Sequence, residues 1–114
     1  MSKVHLVVLG AGPGGYSAAF YAADQGYKVT LVDAADKLGG VCLHRGCIPS
    51  KALLHVSGLM AKIRQAKDFG IDFHSPHIDL KILNEWKEGI VSKFSDGLGQ
   101  LCKQRGVNYV TGRG

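Results

Sequence analysis

Residues 4–33 read VHLVVLGAGPGGYSAAFYAADQGYKVTLVD, and this stretch decides the fold. Residues 4–9 form a β-branched and apolar run that ends at a glycine, which is typical of a buried parallel strand. Residues 13–25 are rich in alanine and precede Gly26, where a helix would have its C-terminal cap. Residues 28–33 form a second apolar strand. Strand, helix and strand within about 30 residues predict the βαβ unit of a doubly wound parallel sheet.

A glycine-rich turn joins the first strand to the helix. Residues 10–15, GAGPGG, match the pattern GxGxxG. In a dinucleotide-binding loop Gly10 would allow a tight turn, Gly12 would let backbone approach a pyrophosphate, and Gly15 would allow close helix packing. The free N–H groups of the first helical turn then face the phosphates. The pattern alone has low specificity, because glycine-rich turns are common, and it does not distinguish FAD from NAD.

An acidic residue at the end of the second strand adds to this pattern. Asp33 follows Gly15 by 18 residues, where a carboxylate can accept hydrogen bonds from both hydroxyls of an adenosine ribose. A 2′-phosphate would be repelled at that place. The alternative is that Asp33 only caps a turn. The sequence therefore predicts a site for an adenine dinucleotide that lacks a 2′-phosphate.

The second half of the chain carries two predicted helices and a third predicted strand. We predict helices over residues 50–69 and 80–105 and a strand over residues 107–111. Apolar residues recur in the second helix at three- and four-residue spacing, and Asp79 stands where a cap would be. The predicted fold class is α/β, half of a doubly wound, Rossmann-like domain: a parallel βαβ unit with a long helical insertion before the third strand.

Composition and charge narrow the class of protein. The 114 residues suffice for one domain, and 46% hydrophobic with 20% charged residues is ordinary for a globular protein. No stretch has the roughly 18 uninterrupted apolar residues of a membrane span, and no signal peptide pattern opens the chain, so we expect a cytoplasmic protein without a membrane partner. The net charge is +5, but basic residues are scattered among acidic ones, so we expect solvated helix faces and no nucleic-acid partner.

The segment GGVCLHRGCIPSKALLH, residues 39–55, contains two cysteines five positions apart. On a regular α-helix their Cα atoms would be roughly 8.7 Å apart, which exceeds the limit of about 7 Å for a disulfide. Cys42 and Cys47 can therefore pair only where the backbone departs from a regular helix. Gly46 relaxes the backbone there, and Pro49 lacks the N–H group that a regular helix needs. The sequence thus favours such a departure.

A redox-active pair and a metal site are the two interpretations of these cysteines. A disulfide that closes so small a loop is not expected to serve stability alone in a reducing cytoplasm. A position near a helix start favours the thiolate, and His44 and Arg45 can add positive charge, which fits a redox pair. A metal held by Cys42, His44 and Cys47 is the competing interpretation, but no second pair of ligands is present, and we predict no metal. Cys102 is the expected unpaired thiol.

These segments together resemble the flavin-dependent pyridine nucleotide-disulfide oxidoreductases. The resemblance is carried by GAGPGGY at residues 10–16, by Asp33, and by the highly specific segment GGVCLHRGCIPSK at residues 39–51. The segment IPSKALLH at residues 48–55 is most similar to the branch of the family that oxidises dihydrolipoyl groups. Members of the family are much longer, so we expect the chain to be the amino-terminal part of a longer enzyme and to be inactive alone.

The resemblance implies FAD as the cofactor and a role for each matching residue. It implies that Cys47 contacts the flavin as a thiolate and that Cys42 forms a mixed disulfide with the substrate. His44 and Arg45 replace an Asn-Val pair that is common in relatives, which we expect to tune the thiolate pKa. Lys51 would lie near the reactive edge of the isoalloxazine. The residues implied to contact FAD are Gly10, Gly12, Gly15, Asp33, Gly39, Gly40, Val41, Lys51 and Gly114.

The resemblance also implies a reaction and its partners. Dihydrolipoyl groups would be oxidised to the disulfide, and two electrons would pass through Cys42–Cys47 and FAD to NAD⁺ as the co-substrate. The lipoyl domain of a 2-oxoacid dehydrogenase or related complex would be the partner, and the full-length enzyme would be a homodimer. The alternative function is a free-standing dinucleotide-binding module whose cysteines respond to redox state without catalysis.

Overall fold

The computed structural model describes residues 4–114, which fold around a parallel three-stranded sheet in the order β1–β2–β3. The strands are β1 (His5–Leu9), β2 (Lys28–Asp33) and β3 (Asn108–Thr111). The register places Leu9 beside Val32, and Asp33 beside Thr111. The carboxyl ends of all three strands therefore meet at one edge, where open α/β sheets bind their ligands. The predicted α/β class with a parallel sheet is confirmed.

Helices form most of the connections between the strands. The helices are α1 (Pro13–Asp24), α2 (Gly40–Arg45), α3 (Cys47–Gln65) and α4 (Leu80–Gln104), with a 3-10 turn at Ala66–Phe69 after α3. The Asp79 carboxylate caps α4 by accepting hydrogen bonds from the N–H groups of Lys81 at 3.0 Å and Ile82 at 3.1 Å. Within residues 4–114, no helix has both the length and the apolar character needed to cross a membrane.

The core lies between one face of the sheet and helices α1 and α4. Leu31 of the middle strand is fully buried, and Ala19 of α1 and Cys102 of α4 belong to the same buried cluster. The Arg105 guanidinium, just after α4, lies 5.4 Å from the centre of the Phe20 ring of α1. Side chains of β1 alternate between this core and the exposed opposite face of the sheet. This packing holds α1, and with it the glycine loop, at the edge of the sheet.

The cysteine segment differs from the sequence prediction. The helix predicted over residues 50–69 begins at Cys47 and ends at Gln65, and its last residues form the 3-10 turn. The separate short helix α2 precedes it and was not predicted. Proline is tolerated in the first turn of a helix, because an N–H group there has no partner, so Pro49 does not delay the start of α3. Gly46, with φ −125° and ψ −107°, separates the two helices.

Four other predicted boundaries differ from the structure by one residue. The strand predicted over 4–9 begins at His5, the helix over 13–25 ends at Asp24, the helix over 80–105 ends at Gln104, and the strand over 107–111 begins at Asn108. The two helices end because the glycines that follow their caps adopt positive φ, 88° at Gly26 and 65° at Gly106.

Candidate dinucleotide and redox-disulfide site

The glycine loop turns sharply between β1 and α1. Gly10 has a φ of +97°, which favours glycine, and its N–H group donates to the Val32 carbonyl on the neighbouring strand at 2.7 Å. A Cβ atom on Gly15 would overlap the carbonyl group of Gly10. The start of α1 therefore packs against the end of β1 more closely than a residue with a side chain would allow.

The first turn of α1 presents free backbone donors. The first hydrogen bond along the helix runs from the N–H group of Tyr16 to the Gly12 carbonyl, at 3.0 Å. The N–H groups of Gly14 and Gly15 precede that bond and have no carbonyl partner four residues back in the helix. Cβ positions on Gly12 and Gly14 would face open space. Amide donors without side chains in front of them fit the pyrophosphate of a dinucleotide.

Asp33 ends β2 beside this loop. Its Oδ2 atom accepts a hydrogen bond from the Ala11 N–H group at 2.7 Å, and its Oδ1 atom accepts one from Ala35 at 2.8 Å. These bonds lower the pKa of the Asp33 carboxyl below its usual value, although partial burial acts in the opposite direction. Asp33 therefore caps the turn, as the alternative interpretation supposed. Each oxygen of the ionised carboxylate keeps a further lone pair for a ligand hydroxyl, so ribose binding stays a prediction.

Tyr109 is a residue of this region that the sequence analysis missed. Its hydroxyl group donates to the Ala35 carbonyl, and the N–H group of Gly112 donates to the Asp33 carbonyl at 2.7 Å. Burial raises the pKa of Tyr109, and the negative charges of Asp33 and Asp36 raise it further. The third strand thus fixes the turn that carries Asp33. Because the tyrosine contacts a backbone carbonyl, no sequence pattern marks this role.

Helix α2 begins in contact with the glycine loop. Gly39 and Gly40 have φ values of +126° and +64°. The Gly39 N–H group donates to the Ala11 carbonyl at 2.9 Å. A Cβ atom on Gly40 would lie 2.7 Å from the Cα atom of Gly12. Backbone contacts therefore connect the cysteine segment directly to the predicted phosphate site.

Cys42 and Cys47 form a disulfide across the break between α2 and α3. Their Cα atoms are 4.8 Å apart, compared with the roughly 8.7 Å expected five residues apart on a regular helix. Gly46 eases this approach, because a Cβ atom there would lie 3.2 Å from the Val41 carbonyl oxygen, a tight contact, and 3.4 Å from the Cα atom of Cys42. Cys42 is half-buried, and Cys47 is exposed. The predicted departure from a regular helix is present.

A small cavity connects the disulfide region with the first turn of α1. Its volume is about 150 Å³, and it is lined by Pro13 and Tyr16 of α1, Cys42 of α2 and Phe94 of α4, among others. The cysteine that is predicted to exchange with substrate therefore borders the same space as the helix that is predicted to bind the cofactor phosphates.

His44 lies between the two cysteines in the sequence, and its side chain is hydrogen-bonded to the backbone. The Nε2 atom of His44 lies 2.9 Å from the Leu38 carbonyl oxygen. Since a carbonyl can only accept, Nε2 carries the proton and donates it. This hydrogen bond connects α2 to the loop that precedes it. In the part of the chain that the structure describes, no group of three or more His, Cys, Asp or Glu side chains is placed to hold a metal ion.

Cys102 is a free thiol that lies in the core. Only 3% of its surface is exposed, and its Sγ atom donates to the Val107 carbonyl at 3.5 Å. Burial raises the pKa of this thiol above its usual value. Cys102 therefore has the environment of a packing residue.

The remaining predicted site residues are Val41, Lys51 and Gly114. Val41, at the start of α2, is 67% exposed. Lys51 is exposed on α3, one helical turn after Cys47 and on the same face of that helix. Gly114 follows β3 and lies against Leu9, because a Cβ atom on it would be 2.7 Å from the Leu9 Cδ2 atom. The structure thus connects the glycine loop with Asp33 and the start of α2, and it leaves the Val41 and Lys51 side chains at the surface.

Comparison with known proteins gives a consistent result. The sequence profile of the pyridine nucleotide-disulphide oxidoreductase family matches residues 4–114. A dihydrolipoyl dehydrogenase of Buchnera aphidicola subsp. Acyrthosiphon pisum is 46% identical over 107 residues, which cover 94% of this chain and 23% of the relative. The dihydrolipoyl dehydrogenase of Vibrio parahaemolyticus is 47% identical over 112 residues, 98% of this chain and 24% of the relative.

A third relative, dihydrolipoyl dehydrogenase 2 of Haloarcula marismortui, is 47% identical over 107 residues, which cover 94% of this chain and 22% of the relative. The chain spans about a quarter of the length of the curated relatives it matches. The family resemblance inferred from the glycine loop and the cysteine segment is confirmed by the match over residues 4–114. This chain belongs to the pyridine nucleotide-disulphide oxidoreductase family.

Proposed function

We propose that this chain is the FAD-binding and redox-disulfide part of a dihydrolipoyl dehydrogenase. The whole enzyme would oxidise dihydrolipoyl groups and reduce NAD⁺. The observation that carries this proposal is the Cys42–Cys47 disulfide. Its Cys42 lies on α2, and the first residue of that helix, Gly40, packs on the glycine loop at Gly12. Identities of 46% and 47% with proteins named dihydrolipoyl dehydrogenase support the choice of substrate.

The residues present fit an adenine dinucleotide. The amide donors of Gly14 and Gly15 suit the pyrophosphate, and the ionised Asp33 carboxylate suits the adenosine ribose. The FAD contacts proposed are Gly10, Gly12, Gly15, Asp33, Gly39, Gly40, Val41, Lys51 and Gly114. FAD, when bound, would accept two electrons from the reduced cysteine pair and deliver them to NAD⁺.

The two cysteines have different roles in the proposed exchange. A dihydrolipoyl thiolate attacks the Sγ atom of Cys42, the Cys42–Cys47 bond breaks, and Cys47 leaves as a thiolate. The second thiol of the substrate then displaces Cys42 and closes the lipoyl disulfide. Cys47 is the first residue of the 19-residue helix α3, so the positive end of the helix dipole favours its thiolate. Arg45 and Lys51 add positive charge on either side of it.

We also infer the partners of the longer protein. A dihydrolipoyl dehydrogenase acts on lipoyl groups, so the partner proposed is the lipoyl domain of a 2-oxoacid dehydrogenase or related complex. The proposed assembly is a homodimer. A cytoplasmic location stays a prediction from the sequence.

Reconstitution with FAD tests the proposed function. The oxidised chain is mixed with FAD, freed of unbound flavin by gel filtration, and then reduced by two electrons under anaerobic conditions. We expect a yellow protein that gains a long-wavelength charge-transfer band, because the Cys47 thiolate would contact the flavin. The Cys47→Ser variant is the control, and it should keep the flavin and lose the band.

Two results would contradict the proposed function. Folded protein that binds an adenine nucleotide but no flavin would instead favour the alternative, a dinucleotide-binding module without catalysis. A charge-transfer band that persists in Cys47→Ser would show that Cys47 is not the thiolate in contact with flavin.

A further inference from the structure

We propose that His44 is a positioning residue that couples the redox state of the Cys42–Cys47 disulfide to binding of the adenosine end of the dinucleotide. The inference rests on the proposed function and deepens it by naming a regulation of the same site. The oxidised chain should bind an adenine nucleotide more tightly than the reduced chain does.

Three consecutive hydrogen bonds connect the disulfide loop with Asp33. The Nε2 atom of His44 donates to the Leu38 carbonyl at 2.9 Å. That carbonyl belongs to the same planar peptide group as the Gly39 N–H group, which donates to the Ala11 carbonyl at 2.9 Å. The Ala11 N–H group in turn donates to the Oδ2 atom of Asp33 at 2.7 Å. The carboxylate proposed to bind the ribose is thus linked to a side chain inside the disulfide loop.

The middle of this series of hydrogen bonds is buried. Leu38 is 5% exposed and Ala11 is 0% exposed, and Gly39 is buried as well. Hydrogen bonds that follow one another in a buried environment polarise each other, so the loss of one weakens the next. A buried peptide group that loses its partner has little access to water as a replacement. The series is therefore sensitive to the position of the His44 ring.

The disulfide controls the position of that ring. His44 follows Cys42 by two residues in the six-residue helix α2. A covalent bond holds two sulfur atoms closer than two unbonded thiols can approach, so reduction forces Cys42 and Cys47 apart. Helix α3 has 19 residues, so α2 is the element with fewer hydrogen bonds and takes up the displacement. The His44 ring then moves relative to the Leu38 carbonyl.

The bonded and unbonded cysteines are two states of one element, and the nucleotide acts on the equilibrium between them. In the oxidised state the series is complete, and it holds Ala11 and the Asp33 carboxylate in place for a ribose. In the reduced state its first bond is weakened. Because coupling between two sites is reciprocal, a nucleotide that prefers the oxidised chain also stabilises the disulfide against reduction.

ADP binding to the two redox states tests the inference. ADP carries the adenosine and the pyrophosphate but no isoalloxazine, so it makes no flavin contact with Cys47. Isothermal titration calorimetry under anaerobic conditions and at one fixed pH gives the Kd of the oxidised chain. The same measurement is made on the chain after reduction with dithiothreitol, which is then removed. We expect the Kd of the reduced chain to be about 5- to 10-fold higher.

Substitution of His44 separates the coupling from the charge of a thiolate, which acts on ADP in every variant. His44→Leu removes the donor, so the ratio of the reduced to the oxidised Kd should fall by about 2- to 5-fold. His44→Gln should restore the ratio, because its amide N–H group can donate to the Leu38 carbonyl. His55→Leu makes the matched change at an exposed position of α3 and should leave the ratio unchanged.

The midpoint potential of the Cys42–Cys47 couple gives the reciprocal measurement. It is determined in a series of dithiothreitol redox buffers with and without saturating ADP. A difference of about 5- to 10-fold in Kd corresponds to about 20–30 mV for a two-electron couple, and ADP should make the potential more negative by that amount. The shift should be smaller in His44→Leu. A purely structural role of His44 would lower stability and leave the shift unchanged.

Failure of the inference and failure of the proposed function are distinguishable. Equal ADP affinity in the two redox states would overturn the inference, as would a ratio that His44→Leu leaves unchanged or that His55→Leu lowers equally. The proposed function would then still stand on the flavin charge-transfer band. ADP binding to neither redox state would overturn the inference and the proposed dinucleotide site together. The effect of ADP on the potential of the unmodified chain needs no substitution, so its absence overturns the inference even where a variant does not fold.

Discussion

A Cβ atom on Gly40 would lie 2.7 Å from the Cα atom of Gly12, so helix α2 begins in direct backbone contact with the glycine loop. The hydrogen bond from Gly39 to Ala11, at 2.9 Å, joins the same two segments. The loop that is predicted to bind a pyrophosphate and the helix that carries Cys42 therefore share one junction. A change at this junction should affect cofactor binding and the disulfide together.

The Gly40→Ala variant tests this junction. Alanine would have to adopt a φ of +64° and would press its Cβ atom on Gly12. We expect the free energy of unfolding to fall by about 1–3 kcal/mol and FAD affinity to fall with it. Urea denaturation followed by circular dichroism measures the first effect, and flavin titration measures the second. Gly58→Ala, in open space on α3, is the control and should not lower stability. Equal effects in the two variants would contradict the proposed contact.

A second pair of glycines tests how α1 meets β1. Gly15→Ala would force a Cβ atom into the Gly10 carbonyl group, whereas Gly14→Ala would place one in open space on the same helical turn. We expect Gly15→Ala to lower the free energy of unfolding by about 1–3 kcal/mol. Gly14→Ala should leave it unchanged or raise it by roughly 0.5–1 kcal/mol, because alanine loses less conformational entropy in a helix. Thermal unfolding of both variants gives the comparison, and a less stable Gly14→Ala would count against this geometry.

The strands and the first helix could be predicted because their signals are local. The apolar runs at residues 4–9 and 28–33 and the alanine-rich residues between them each show the pattern of one element. Helix α2 could not be predicted in this way. It has only six residues, Gly40–Arg45, and both its N-cap Gly39 and its first residue Gly40 have positive φ. It is therefore too short for helical periodicity to appear.

Some features of the candidate site could likewise be predicted from the sequence, and others could not. The glycine spacing and the two cysteines are visible in the sequence because the chemistry depends on those residue types. The positions of Ala11 and Leu38 are not visible, because their backbone groups make the contacts with Asp33, Gly39 and His44. Any residue except proline offers the same backbone groups, so only the three-dimensional structure identifies these partners.

The disulfide predicts which thiols react. The chain has three cysteines, and in the oxidised structure only Cys102 is free. We expect the folded, oxidised chain to show almost no thiol that reacts rapidly with Ellman's reagent, because Cys102 is buried and its pKa is raised. Mild reduction should expose two fast thiols, and denaturation should reveal the third. Cys47→Ser should show one fast thiol, from Cys42, without any reductant. A fast thiol in the folded, oxidised chain would contradict the pairing.

The hydrogen bonds to Asp33 predict a pH dependence of stability. The N–H groups of Ala11 and Ala35 hold the pKa of the Asp33 carboxyl below its unfolded value, which is about 4. A carboxyl with a lowered pKa in the folded state stabilises the fold above its unfolded pKa. That stabilisation is lost as the pH falls from about 5 through the folded pKa.

Asp33→Asn should therefore lower the free energy of unfolding at neutral pH by about 1 kcal/mol and make it depend less on pH below about 5. Urea denaturation over a series of acidic pH values measures both effects. Asp36→Asn removes a nearby negative charge that accepts neither bond, and it should keep the pH dependence of the unmodified chain. If Asp33→Asn loses stability on acidification as steeply as the unmodified chain does, the two backbone bonds do not hold the carboxylate. In that case nothing in this turn would hold the carboxylate in position for a ribose at the edge of the sheet.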